Sequence, residues 1–137
     1  MVKNKYPRLT VDGIIIKNKK ILLIQRKNEP YKNYYALPGG FVNYGETVEK
    51  AIEREIKEET NLKIKVKKLA GVYSNPQRDP RGHIISLVFF CQLKNNKLKF
   101  ADDAQSGKWV PISKIPRKLA FDHYRIIKEF LKNVYSL

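Results

Sequence analysis

Six of the thirteen acidic residues in this chain lie between Glu46 and Glu59, although the chain carries 28 lysine and arginine residues and a formal net charge of +15. The surrounding segment reads GGFVNYGETVEKAIEREIKEETNL. At about 100° per residue, an α-helix here would turn Glu55 and Glu59 to within roughly 60° of the centre of the apolar face that carries Ala51 and Ile52. The segment is therefore predicted to be a helix that directs two glutamates toward the protein interior.

Glu55, Glu58 and Glu59 are spaced so that they form one ridge along this helix. Like charges at that spacing destabilise a helix by roughly a few tenths of a kcal/mol per pair, and partial burial costs more unless a cation compensates. A bound divalent cation is one interpretation, because carboxylate oxygens favour magnesium, calcium or manganese over zinc. The alternative is a solvated helix in which Arg54 and the lysines pair with the glutamates. The inward direction of two glutamates favours the metal site.

A longer pattern surrounds the ridge. Gly40, Glu46 and the run from Arg54 to Leu62 resemble the Nudix box, G-x5-E-x7-R-E-U-x-E-E-x-G-U, in which U is aliphatic. Asn61 stands where the family has its last glycine, and asparagine also tolerates the left-handed conformation needed just past a helix end. Leu37-Pro38-Gly39 precedes the box, and the chain resembles the family over nearly its whole length.

The resemblance implies an enzyme that hydrolyses the diphosphate bond of a nucleoside diphosphate derivative with Mg²⁺, for which Mn²⁺ would be a substitute. Metal ions would neutralise the phosphate oxygens and activate the attacking water. Arg54 would orient a glutamate through a bidentate ion pair, and Glu58 or Glu59 would take the proton of the water. Glu46 would brace the loop and the helix, or would be a first-turn acid favoured by the helix dipole. The implied metal ligands are Glu55, Glu58, Glu59 and the backbone carbonyl of Gly39.

The segment from Tyr73 to His83 is rich in turn-forming residues and is predicted to be a loop between two strands. Arg78, Arg81 and His83 give it donors for phosphate or ribose oxygens, whereas a plain polar connection is the alternative. The segment is similar to the corresponding loop of ADP-ribose pyrophosphatases, which carry a proline at the spacing from the box that Pro76 has here. The resemblance therefore favours ADP-ribose, split into AMP and ribose 5-phosphate.

A second similarity to ADP-ribose hydrolases lies in Leu119-Ala120-Phe121-Asp122-His123. Asp122 is placed either to cap the final helix or to contact ligand, and His123 falls in the first turn, at the surface or facing substrate. Asp102 and Asp103 lie where many relatives have an acidic loop over the metals, and an exposed turn is the alternative. Arg26 resembles a family position that contacts substrate phosphate or ribose. The alternative is that it forms a plain surface ion pair.

The pattern of apolar runs predicts a single α/β domain over residues 1–137. The predicted strands are Arg8 to Ile16, Lys20 to Arg26, Leu62 to Tyr73, His83 to Leu93 and Lys108 to Val110. Asn18-Lys19 joins the first two as a hairpin turn. A final helix from Phe121 to Val134 would pack through Tyr124, Ile127, Phe130, Leu131 and Val134. Two helices on a mixed sheet predict an α/β/α sandwich, which is the Nudix fold.

Composition limits the other functions. The chain has 137 residues, 42% of them hydrophobic, and its N-terminal segment lacks a long apolar core, so we expect a cytoplasmic protein without a membrane partner. The one cysteine, Cys91, lies in an apolar run and is expected to be a buried hydrophobe. The lysine excess would attract a small diphosphate substrate, or would indicate nucleic-acid affinity.

Two alternatives to an ADP-ribose hydrolase stay open. A non-catalytic nucleotide-sensing or RNA-binding module would keep the fold, but the complete glutamate ridge argues against it, and no nucleic-acid partner is expected. A second enzyme class would hydrolyse ordinary or oxidised nucleoside triphosphates. Many relatives are homodimers that share the substrate site, and the tyrosine-rich segment Tyr31 to Tyr35 is the predicted contact.

Overall fold

The computed structural model describes residues 6–95 and 106–135. The strands are β1 (Arg8–Lys17), β2 (Lys20–Gln25), β3 (Tyr35–Ala36), β4 (Gly39–Phe41), β5 (Ile64–Tyr73), β6 (Ile84–Leu93) and β7 (Ser106–Pro111). The helices are α1 (Val48–Thr60) and α2 (His123–Tyr135), and a short 3-10 helix spans Ile112–Lys114.

The strands form one mixed sheet in the order β3-β2-β1-β6-β5, with β4 added to β1 and β7 added to β2. The β1–β6 pair is parallel, and the other pairs are antiparallel. Asn18 and Lys19 connect β1 to β2 with φ values of 52° and 61°. Two positive φ values are typical of a type I′ turn, which fits the right-handed twist of the strands. The predicted hairpin is confirmed, with lysine accepting the left-handed conformation.

The two faces of the sheet carry separate apolar cores. Successive strand residues point to opposite sides, so Ile14 packs with α2 whereas Ile15 packs with α1. The α2 side also contains Ile21, Leu23 and Val88, and the α1 side contains Val11, Leu22 and Phe89. The predicted α/β/α sandwich is confirmed.

Helix α1 begins and ends at residues suited to those positions. The Thr47 hydroxyl accepts a hydrogen bond of 3.1 Å from the Lys50 amide, which caps the first turn. Asn61 ends the helix in the left-handed conformation, at φ 63°, and its amide donates to the Lys57 carbonyl. The asparagine therefore takes the backbone shape for which glycine is the usual choice. These caps fix the helical register of the glutamates.

The structure corrects several sequence-based boundaries. β3 and β4 were not predicted, because strands of two and three residues leave no readable alternation. β5 begins at Ile64 rather than Leu62, and β7 extends beyond the predicted segment in both directions. Cys91 is buried, as expected. Asp102 and Asp103 lie outside the described residues.

The packing face of α2 also differs from the prediction. The helix begins at His123 rather than Phe121. Val134 is 40% exposed, so its predicted place in the core is wrong, whereas Ile126 is 1% exposed and packs against the sheet. Neither of the two described helices is long and apolar enough to cross a membrane. The cytoplasmic location stays a prediction.

We expect Ile126→Ala to lower the free energy of unfolding by about 2 to 5 kcal/mol, because it removes a fully buried side chain and leaves a cavity. Val134→Ala, on the same helix, should cost less than about 1 kcal/mol. Urea denaturation of the two variants beside the wild type measures both values. Equal losses would contradict the orientation of α2.

Candidate active site

Arg54 is the centre of an ion-pair network between α1 and the loop that precedes it. Its Nε lies 2.6 Å from Oε2 of Glu46, and its Nη2 lies 3.0 Å from Oε1 of the same carboxylate. This bidentate contact lowers the pKa of Glu46 to about 2, helped by a hydrogen bond from the Asn43 amide. Glu46 precedes the helix rather than lying in its first turn, so the geometry fits the bracing interpretation.

The same guanidinium also contacts the glutamate ridge. Nη1 of Arg54 donates to Oε1 of Glu55 at 2.8 Å and to Oε1 of Glu58 at 2.9 Å. Nη2 donates to the Phe41 carbonyl at 3.1 Å, which ties the network to the end of β4. Arg54 therefore supplies the positive charge between two neighbouring carboxylates and holds α1 against the sheet.

Two glycines in β4 allow this close packing. A side chain on Gly39 would collide with the Val11 carbonyl of β1, and one on Gly40 would lie 2.5 Å from the Glu55 carboxylate. The Gly39 amide donates a hydrogen bond of 2.9 Å to Oε1 of Glu59. Because Gly40 has no Cβ, the Glu55 carboxylate sits directly against the backbone of the strand, and Glu59 is held there by the Gly39 amide.

The donors of the ridge fit a hard divalent cation, since they are carboxylate oxygens. Burial raises the pKa of Glu55 despite its contact with Arg54, so its negative charge remains only partly compensated. The missing Cβ of Gly40 makes room for this carboxylate against the strand. Within residues 6–95 and 106–135, no three His, Cys, Asp or Glu side chains already stand together as a metal-binding group. Glu58 points outward, with its side chain 58% exposed.

A cavity of about 130 Å³ opens beside the ridge, between β1, β4 and the start of α2. Glu59 and the two glycines line one side of it, and three guanidinium groups line another. The arginines are Arg26, Arg78 and Arg81. Since each carries a positive charge, the cavity is suited to an anionic group.

Two of these arginines are held in place by carboxylates. Nε and Nη2 of Arg78 donate to Asp122 at 2.8 and 2.7 Å. Arg81 pairs with Asp79 in the same loop at 2.9 Å. Burial alone would raise the pKa of Asp79, but the hydrogen bonds from Arg81 outweigh it, and the pKa is lowered. The loop between β5 and β6, predicted from sequence, is thereby fastened to the residue before α2. Asp122 precedes the helix as a cap would, but its carboxylate binds Arg78.

Arg26 lies half-buried at the end of β2. Its Nε donates to the Pro30 carbonyl at 2.7 Å, and its guanidinium stacks over the Phe121 ring at 5.0 Å. Burial and the neighbouring charge of Arg81 lower the pKa of Arg26. The Arg26 side chain lines the cavity, which fits contact with substrate better than a role in a surface ion pair.

Two residues of the predicted substrate set lie outside the cavity lining. Pro76 is exposed in the loop, and Nε2 of His83 lies 3.0 Å from the Ser74 carbonyl. Asp103 falls outside the described residues. In the tyrosine-rich segment, Tyr31 packs edge-on against Phe121 at 4.9 Å. A homodimer contact through this segment stays a prediction.

Sequence reasoning missed several cavity residues. Asp12 is 7% exposed in the middle of β1. An acidic residue within an apolar run is unusual, and this position could have indicated a functional carboxylate. Phe41 and Phe121 also line the cavity, and the Arg81 guanidinium lies 5.0 and 5.2 Å from the two rings. His123 is 3% exposed, so the surface alternative for it is wrong and it faces the cavity instead.

The position of His123 depends on a short link to β3. The Ala120 amide donates to the Tyr35 carbonyl at 2.9 Å, which places the start of α2 beside the chain after β3. There the Leu37 amide donates to Nδ1 of His123 at 3.0 Å. Burial lowers the pKa of His123 below its ordinary value, although Asp12 and the adjacent carboxylate of Asp122 partly oppose this effect. The ring is therefore neutral at pH 7.

We expect His123 to make stability depend on pH near 6.5, its ordinary pKa. Since the folded pKa is lower, the unfolded chain binds the proton more readily, and the free energy of unfolding falls as pH drops from about 7.5 to about 5.5. In His123→Asn this fall should be smaller, whereas the exposed His83→Gln should behave as the wild type. Chemical denaturation at several pH values measures the slopes. Equal slopes for wild type and His123→Asn would contradict the burial of a neutral ring.

Comparison with known proteins agrees with this geometry. Residues 6–130 match the family model described as NUDIX domain. The chain is 57% identical over 127 residues to the ADP-ribose pyrophosphatase of Methanocaldococcus jannaschii, a match that covers 93% of this chain and 75% of that protein.

Solved structures give the same result. A bifunctional NMN adenylyltransferase/ADP ribose pyrophosphatase from Francisella tularensis matches with a TM-score of 0.81 and 37% identity, covering 96% of this chain and 42% of that one. The NUDIX domain of NrtR from Shewanella oneidensis, complexed with ADP ribose, matches with a TM-score of 0.82 and 26% identity, covering 96% of this chain and 90% of that one. The matched segment contains the box helix, its caps and the glycines packed against it. The chain therefore belongs to the Nudix family.

Proposed function

We propose that this chain is a pyrophosphohydrolase that splits ADP-ribose into AMP and ribose 5-phosphate. The observation that carries the proposal is the glutamate ridge of α1 lying beside an arginine-lined cavity. The substrate is favoured by the 57% identity to a protein named ADP-ribose pyrophosphatase. A structural neighbour bound to ADP ribose supports the same class of ligand.

The arginines would neutralise the substrate's negative charge. Arg26 lies at the wall of the cavity, while Arg78 and Arg81 are oriented by their own carboxylate partners. A guanidinium that is already fixed loses little conformational entropy when a phosphate binds. The ion pairs therefore fix these two guanidinium groups at the cavity wall before a diphosphate binds.

The ridge would serve the hydrolytic step. We propose Mg²⁺ as the cofactor, held by Glu55, Glu58 and Glu59 with the Gly39 carbonyl, and Mn²⁺ as a substitute. When bound, such ions neutralise phosphate oxygens and make water a better nucleophile. Glu58 or Glu59 would accept the proton of the attacking water, and Arg54 and Glu46 would keep the ridge in register with the cavity.

The products identify the reaction. With Mg²⁺ present, we expect ADP-ribose to yield AMP and ribose 5-phosphate in equal amounts, as separated by ion-exchange chromatography. Nucleoside triphosphates, including oxidised ones, should be poorer substrates. Release of inorganic pyrophosphate from a triphosphate at a higher kcat/KM would instead assign the chain to the triphosphatase class. Tight ADP-ribose binding without any turnover would indicate a sensor.

Glu58→Gln should lower kcat by about 100-fold or more, because it removes a carboxylate from the ridge without removing buried apolar surface. Far-ultraviolet circular dichroism should be unchanged. Glu49→Gln is the matched control, since Glu49 is an exposed acid in the first turn of the same helix and should keep wild-type turnover. Near-normal turnover of Glu58→Gln would remove the role assigned to that carboxylate.

A further inference from the structure

The floor of the cavity holds a buried polar pair to which the hydrolytic proposal assigns no role. Asp12 on β1 and His123 at the start of α2 are 7% and 3% exposed, and both line the cavity. The hydroxyl of Ser86, fully buried on β6, donates a hydrogen bond to Oδ2 of Asp12. Two strands and a helix thus hold the carboxylate and the imidazole in fixed positions.

The neighbours of this pair decide which of its atoms donate and which accept. A backbone amide can only donate, so the Leu37 amide at 3.0 Å requires an unprotonated Nδ1 on His123. The neutral ring then carries its proton on Nε2. Nε2 lies 3.8 Å from Oδ2 of Asp12, which is beyond hydrogen-bonding distance. The cavity floor therefore presents one donor and one acceptor that do not satisfy each other directly.

A hydroxyl group complements such a pair, because it accepts one hydrogen bond and donates another. It would accept from Nε2 of His123 and donate to the carboxylate of Asp12, as a bridging water does between groups at this separation. A phosphate oxygen only accepts and would be repelled by Asp12. An ammonium or guanidinium group only donates and would not accept from His123.

The position of the pair indicates which part of the substrate carries the hydroxyl. Oδ1 of Asp12 lies 2.7 Å from the point where Gly39 would bear a Cβ, and the Gly39 amide bonds to Glu59 of the ridge. The pair is thus next to the place proposed for the diphosphate. In ADP-ribose, the proposed substrate, a ribose is linked to each of the two phosphates, and the adenine lies one ribose further away.

We propose that Asp12 and His123 recognise a ribose hydroxyl of the substrate, with Ser86 as the residue that positions Asp12. This assignment rests on the proposed function, because it takes the ridge as the metal site and the cavity beside it as the place of the diphosphate. It gives the enzyme a preference for a hydroxylated sugar over its deoxy counterpart, independent of the metal ligands.

Binding to a non-hydrolysable substrate tests the assignment. The probes are α,β-methylene ADP-ribose, its analogue without the 2′- and 3′-hydroxyls of adenosine and its analogue whose terminal ribose carries no hydroxyl, titrated by calorimetry with Mg²⁺ present. We expect the wild type to bind the parent compound about tenfold more tightly than one of the two deoxy compounds. The compound that binds weakly identifies the ribose.

Two variants locate the preference. His123→Asn keeps an acceptor near the Leu37 amide but removes the Nε2 donor, and Asp12→Asn removes the charge of the acceptor. Each should bind the parent and the weak deoxy compound with nearly equal affinity, whereas Glu49→Gln should keep the wild-type ratio. A purely structural role would weaken all three compounds alike and leave the ratio unchanged, which would overturn the proposal.

Two further outcomes are decisive. If the wild type binds all three compounds alike, no hydroxyl is recognised, and this result does not depend on whether either variant folds. If the hydroxyl preference holds but ADP-ribose is not hydrolysed, the recognition site stands and the proposed hydrolysis fails. If ADP-ribose is hydrolysed but the hydroxyl preference is absent, the proposed recognition site fails and the proposed hydrolysis stands.

Discussion

The site depends on one guanidinium. Arg54 reaches Glu46 before the helix, Glu55 and Glu58 on the helix, and the Phe41 carbonyl at the end of β4. Without this charge, carboxylates on adjacent turns would repel one another, and the preceding loop would lose its strongest contact with α1. The stability of the helix and the arrangement of the acids are therefore set by the same side chain, and a change at this position would affect both.

Close backbone approach is the second constraint. β4 is short, but its two glycines let it lie against β1 on one side and against the acids of α1 on the other. A side chain on Gly40 would push the helix away from β4, and one on Gly39 would collide with the backbone of β1. The cavity beside the ridge exists because β1, β4 and the start of α2 meet there, each contributing polar groups to a small volume. Precise placement in this site thus comes from the main chain as much as from the side chains.

Sequence reasoning succeeded where the signal was local. The box helix, the left-handed Asn61 and the Asn18-Lys19 hairpin are decided by neighbouring residues, and all three were predicted. It failed where a partner comes from a distant part of the chain, as with Arg78, whose carboxylate lies 44 positions away. For His123 the sequence left a surface position and a substrate-facing one open, because its burial depends on how α2 docks beside the chain after β3.

The two helices pack on opposite faces of the sheet but contribute to one cavity. Glu59 comes from α1, whereas the loop arginine fastened before α2 and the imidazole at its start come from the α2 side, and all three line that cavity. The two apolar cores share only the intervening strands, so a buried side chain under α2 packs against a different set of neighbours from one under α1. A substitution that shifts α2 would therefore disturb the recognising groups first, while the acids that break the bond keep the support of their own core.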